Sequence, residues 1–156
     1  MINPAQLVDS VVTALQGIPD LVSAMGSSAE NIYAHHFLYG AENSLIDAVY
    51  KITPPGILVA YEGTLGGNFD AATIWKHKVA CYIRAANATN QENPVSYEDI
   101  WSVIMNGPVN GGPNIRCINV MPNTEIMDTP SIEHQIDQDG IDFFVVHLVF
   151  PEIGDS

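Results

Sequence analysis

Five histidines, at positions 35, 36, 77, 134 and 147, are the side chains of this 156-residue chain that titrate nearest neutrality and ligate metals most readily. None stands with a Cys or a carboxylate at a recognised metal-ligand spacing. His35 and His36 are adjacent and would point to opposite faces of any strand. His77 and His147 sit in apolar alternating runs, where a histidine reads as part of a core or an interface. Asp137, Asp139 and Asp142 surround Gly140 and supply oxygen ligands, but an EF-hand needs its Gly at the sixth loop position and a bidentate acid at the twelfth. Gly140 is fourth from Asp137 and no Glu follows at the required distance, so the segment predicts a solvated hairpin tip.

Nucleophilic and phosphate chemistry fare no better. There is no Gly-x-Ser-x-Gly elbow, and Cys81 and Cys117 have no His near them in sequence. Both cysteines lie in strand-like runs and read as buried reduced thiols, with a disulfide between adjacent strands as the minority alternative. Residues 107–114 hold three glycines without a following Gly-Lys-Ser/Thr, and a strand comes next instead of a helix whose N-terminus could hold phosphate. Trp75 and Trp101 read as core anchors, with no basic-aromatic interleaving to stack bases. No cofactor or metal is predicted and the chain is expected not to be an enzyme; a site assembled from distant groups, such as His134 with Asp137, is the enzymatic alternative.

Charge offers a different chemistry. Of the five Lys and Arg residues, Lys76, Lys78 and Arg84 occupy even positions of one run, residues 73–86, whose odd positions include Trp75, Val79, Cys81 and Ile83. Alternation of this kind is that of a half-buried strand. In a chain with 18 acidic residues and a formal charge of −13, a basic stripe finds most of its counter-charges elsewhere. A second copy of the chain is one place to find them, which makes these three residues the candidate subunit interface.

The elements that position these residues follow from periodicity. A helix is predicted from Pro4 to Gln16, capped by Asn3, with Leu7, Val8, Val11, Ala14 and Leu15 on one face. Residues 21–25 form a short second turn of helix, residues 31–38 are ambiguous between a strand and irregular structure, and residues 42–51 read as a helix. Residues 57–61 form a short buried strand, residues 63–70 a turn-rich stretch with Gly66 and Gly67, and the basic strand closes a hairpin on the first. A helix over residues 96–105 and a strand over 115–121 follow. Asp139-Gly140, suited to a type I′ turn, then joins residues 131–138 to 141–150 in a long hairpin. The expectation is a single α+β domain, a mostly antiparallel sheet packed against two or three helices.

Composition bounds the rest. At 47% hydrophobic and 15% charged residues the chain should fold as one domain, without the charge density of disorder. A pI near 4.3 opposes phosphate-backbone binding. An acidic surface would instead let DNA pass along a channel without sticking. Met1-Ile2-Asn3-Pro4 has neither the basic nor the apolar part of a secretory signal, and no run approaches the ~20 apolar residues of a membrane span, which predicts a soluble cytoplasmic protein.

Leu-Val-x-x-Val-Val-x-Ala-Leu-x-Gly-Ile-Pro-x-Leu-Val at residues 7–22, Ile32-Tyr33, Pro-Pro-Gly-Ile-Leu-Val-Ala-Tyr-Glu-Gly at 54–63 and the β-rich final third together resemble small tail terminator or neck proteins of tailed bacteriophages, including phage-Mu-type tail assembly proteins. The resemblance implies a virion protein, assembled in the host cytoplasm, that forms a ring, commonly sixfold, capping the tail tube and joining it to the head connector. It brings no catalytic residue. Within it, Gly66, Gly67 and Asn68, and Asn110, Gly111 and Gly112, are candidate loops for contact with the tube or connector. The alternative is a small acidic interaction module, an assembly chaperone or inhibitor, that binds a basic partner.

Overall fold

The computed structural model describes residues 3–36, 45–69, 72–84, 131–136 and 142–154. Helix α1 (Pro4–Gln16) starts where Asn3 accepts hydrogen bonds from the Ala5 and Gln6 amides and Pro4 presets the first turn. Gly17 ends it, and α2 (Pro19–Ala24) restarts the chain two residues later, opening on Pro19 ahead of the predicted position and closing at Met25. A 3₁₀ turn (Ala29–Asn31) then delivers β1 (Ile32–His35), which settles the ambiguous stretch as a strand. Helix α3 (Leu45–Tyr50) precedes β2 (Gly56–Phe69) and β3 (Ala72–Arg84), and β4 (Ser131–Ile136) and β5 (Asp142–Gly154) complete the described elements. The predicted helix and strand at residues 96–105 and 115–121 lie outside the described residues.

The five strands form one mixed sheet in the order β1-β2-β3-β5-β4. Only β1 and β2 are parallel, and α3 lies in the crossover that a parallel pair requires. The other pairs are antiparallel, so the α+β expectation with a long closing hairpin holds, Ile136 facing Asp142 and Ser131 facing His147.

The turn-rich reading of residues 63–70 does not hold. β2 continues through it, and Gly66, Gly67 and Asn68 stand in register with Trp75, Ile74 and Thr73. These three residues are therefore members of the ladder and not of a loop. Their poor strand propensity is overridden by the hydrogen bonds that β3 supplies along its whole length. The register shifts between Tyr61 and Gly63, where Gly63 adopts φ 141°, so the irregularity that the glycines suggested is a bulge inside the strand. β5 likewise runs beyond the predicted residue 150. Pro151 is tolerated there because the β4 ladder stops at His147, leaving no partner on that edge among the described residues.

The pleat sorts the core into two layers. On one face Leu7, Val8, Val11 and Leu15 of α1, with Leu21 and Met25, cover Ile57, Val59, Val79, Cys81, Ile83 and Phe150. On the other, Val49 and Ile52 cover Leu58, Ala80, Phe143 and Val145. Each fully buried side chain of that size contributes about 1.5–3 kcal/mol, so among the described residues the α1 layer is the larger source of stabilisation. α3 is only six residues long and covers one end of its face.

Candidate functional site

β3 carries the residues singled out by the alternating pattern, and its register with β5 runs unbroken from Thr73 to Ile83. Lys76, Lys78 and Arg84 accordingly share the α3 side of the sheet, while His77, Val79, Cys81 and Ile83 face α1. Position along the strand then separates the three cations. Arg84 is at the covered end, where its guanidinium donates to the Tyr50 and Ile52 carbonyls at 3.2 and 2.7 Å. It caps the C-terminus of α3, where carbonyls lack partners and a cation is favoured. Lys76 and Lys78 are at the end that no described helix covers, across from Pro151 and Val149 of β5, with Lys78 exposed. Among the described residues neither lysine forms an ion pair. The stripe thus splits into a structural arginine and two available lysines.

Between the lysines and the α3 layer runs a row that sequence spacing did not suggest. His147 of β5 reaches Glu62 of β2 with Nδ1 at 2.6 Å from Oε1. The two strands lie on either side of β3, so the bridge crosses that strand, from His147 opposite Ala80 to Glu62 in the bulge beside Gly63. Glu133 of β4 is 3.6 Å from Nε2, beyond hydrogen-bond reach and so a charge contact only. The ring nitrogens point at different carboxylates, and among the described residues no group of three His, Cys, Asp or Glu is arranged to hold a metal.

On the α1 side His77 is 1% exposed and is the buried polar residue of the described core. Its Nε2 lies 2.7 Å from Glu152 Oε2, and its Nδ1 lies 3.0 Å from the Tyr61 hydroxyl and 3.3 Å from the Thr64 hydroxyl. An ionised Glu152 only accepts, so Nε2 donates to it, and Nδ1 is within hydrogen-bond reach of both hydroxyls. Burial, and next the Glu152 charge, push the Tyr61 phenol above its ordinary value, which keeps it protonated and a donor. The Tyr61 and Thr64 hydroxyls also touch one another. The bulge makes this possible, since the extra residue between Tyr61 and Gly63 returns Thr64 to the face that Tyr61 occupies. Carboxylate, imidazole and hydroxyl stand in the order of a hydrolase triad, but an imidazole sealed in the core with both nitrogens engaged holds three strands together and has no open side for a substrate.

Among the described residues, two depressions are found beside the sheet. A cleft of about 670 Å³ opens beside the start of α1, lined by Pro4, Ala5, Val8, Asp9, His36 and Tyr61 among others. At its rim His36 Nε2 meets Asp9 Oδ1 at 2.8 Å. His35, one residue earlier and in register with Ala60, lines the same cleft, so the structure brings the adjacent histidines to one depression where the sequence had them pointing apart. A smaller groove of about 280 Å³ lies against α3, lined by Ile46, Val49, Tyr50, Tyr82 and Phe143 among others.

The remaining candidates give no chemistry. Cys81 is buried, and desolvation, with a smaller contribution from Glu62, pushes its thiol up to about 12, the opposite of what a nucleophile needs. His134 stacks on Phe144 with ring centroids 4.7 Å apart, while Asp137 lies outside the described residues. Asn110, Gly111, Gly112, Trp101 and Cys117 also lie outside them. Trp75 is half-buried, and no helix among the described residues is long and apolar enough to cross a membrane. Sequence reasoning missed Glu62, Glu152, Tyr61 and Thr64, whose partners are 13 to 85 residues away. The one available signal was a polar side chain at an apolar position, His77, which requires partners wherever it is buried. No family model matches the chain, and no curated protein matches it either.

Proposed function

We propose that this chain is a non-enzymatic structural protein of the tail terminator or neck type, whose copies close into a ring that caps a tail tube and meets the head connector. The observation that carries the reading is the end of the α3 side of the sheet that no described helix covers. There Lys76 and Lys78 flank the half-buried Val149 and Pro151, while the chain as a whole carries −13. Two cations around an apolar ridge, on a molecule with an excess of carboxylates, suit a contact with an acidic patch of a neighbouring copy. Because Arg84 is engaged by the end of α3, the reading rests on the two lysines. The local order of the opening helices, the Pro-Pro-Gly strand and the closing hairpin supports the same reading through the phage resemblance.

A small acidic module binding a basic partner is the competing reading, favoured by the exposed carboxylates Asp9 and Glu133, at 63% and 59%. Native mass spectrometry and electron micrographs of the purified protein, alone and with tail tubes, separate the two. Rings whose mass falls with rising salt support assembly. A monomer at every concentration and on every tube defeats it.

A further inference from the structure

The molecule carries an apolar knob and an apolar cleft on opposite sides of its sheet. Ile46 and Tyr50 stand at i and i+4 on α3, so they share one helix face, and they are 67% and 41% exposed. Lys51 follows them and is exposed too. The cleft lies in the other layer, with Pro4, Ala5 and Val8 of α1 and Tyr61 of β2 in its wall. Its rim carries Asp9, 63% exposed and held by His36.

We propose that Ile46 and Tyr50 of one copy seat in the α1–Tyr61 cleft of the next, with Lys51 meeting Asp9 at the rim. The occupant is a second copy because this chain itself carries both halves: two exposed apolar side chains beside one of its five basic residues, and a cleft of about 670 Å³ bordered by a carboxylate. Such a volume falls within the roughly 300–1,000 Å³ range of ligand-sized pockets and accommodates two side chains of this size. Tyr50 is the type of residue that dominates interface energetics when it fills a pocket.

The symmetry follows from the layers. α3 and α1 cover opposite faces, so a rigid copy cannot offer its knob and its cleft to the same neighbour. Each copy uses its knob on one side and its cleft on the other, a head-to-tail contact that generates a ring when the rotation closes. This deepens the ring reading and rests on it, adding a contact distinct from Lys76 and Lys78. Salt weakens the rim pair but leaves the apolar seat.

The test is native mass spectrometry of the full chain and of Ile46→Glu, Tyr50→Ser, Lys51→Glu and Asp9→Lys, with circular dichroism as the folding control; all four positions are exposed. Ile46→Glu and Tyr50→Ser are expected to abolish the ring. Lys51→Glu and Asp9→Lys each bring like charges together and lower assembly at least tenfold. Mixing Lys51→Glu with Asp9→Lys restores opposite charges at every contact, so assemblies return with the two variants in equal number. Full-size rings from folded Ile46→Glu and Lys51→Glu overturn the knob and cleft while leaving the ring reading in place. Wild-type protein that never associates overturns both.

Discussion

His77 and Glu152 meet across the β3–β5 ladder, Nε2 to Oε2 at 2.7 Å, with the imidazole 1% exposed and the carboxylate 15% exposed. Each comes from a neighbouring rung, His77 standing opposite Phe150 and Glu152 opposite Trp75, so the contact is diagonal. On its other side His77 Nδ1 meets hydroxyls of β2, and one imidazole thereby joins the three long strands of the sheet.

Glu152→Ala leaves the Nε2 hydrogen of a buried ring without an acceptor and is expected to destabilise the fold by about 1–3 kcal/mol. Glu152→Gln keeps an acceptor and should recover at least half of that loss. Urea unfolding of the two variants measures the difference. If alanine is no worse than glutamine, the carboxylate does not satisfy the imidazole.

Two glycines make opposite demands on β2. A Cβ on Gly56 would stand 2.9 Å from Ile52 Cγ2 and from the Thr53 carbonyl, closer than real contacts allow, although its backbone is unremarkable. At Gly63 a Cβ meets nothing within 4 Å, but φ 141° is a conformation that side chains rarely adopt. Alanine at either site is expected to lower stability, by roughly 1–3 kcal/mol. Ile52→Ala, which removes the clashing Cγ2, should make Gly56→Ala cost less than it does alone and leave the cost of Gly63→Ala unchanged. Thermal melts of the singles and doubles reveal whether that coupling exists.

The elements legible in the sequence were those whose pattern is local. α1 was readable because cap, proline and apolar face lie within thirteen residues, and the closing hairpin because Asp139-Gly140 interrupts two alternating runs. β2 beyond Tyr61 was not legible, since its strand character comes from pairing with β3 and is opposed by its own glycines. The stripe on β3 was legible as a shared face because alternation fixes which side a residue takes. What each residue meets on that side was not: Arg84 finds the end of α3 through contacts 32 and 34 residues away.

Burial pushes the Cys81 thiol up to about 12 from an ordinary 9.0, so the folded protein holds this proton after the unfolded chain has lost it. Stability from this group is therefore complete below about pH 9 and declines as the pH rises toward 12, by up to about 1.4 kcal/mol per unit. In a Cys117→Ser background a thiol reagent at pH 8 should label Cys81 only as fast as the protein unfolds. Cys81→Ala should flatten the alkaline limb of the stability curve. Rapid labelling of folded protein contradicts the burial.

Arg84 and the two lysines share a face, yet their substitution should have separable consequences. Removing the guanidinium by Arg84→Met leaves the Tyr50 and Ile52 carbonyls without their donor, and stability should fall by about 1–3 kcal/mol. Arg84→Lys keeps a cation and one donor nitrogen, the number that reaches both carbonyls here, but on a shorter side chain, and should recover only part of it. Lys76→Glu and Lys78→Glu change a solvated end of the sheet and should leave the melt within about 0.5 kcal/mol of wild type. Association is where the lysines count: reversing either charge is expected to lower assembly mass at low salt, and high salt should erase the difference. Analytical ultracentrifugation across a salt series reads both effects. Unchanged assembly in both lysine variants would mean that these side chains do no more than keep an outward face hydrated.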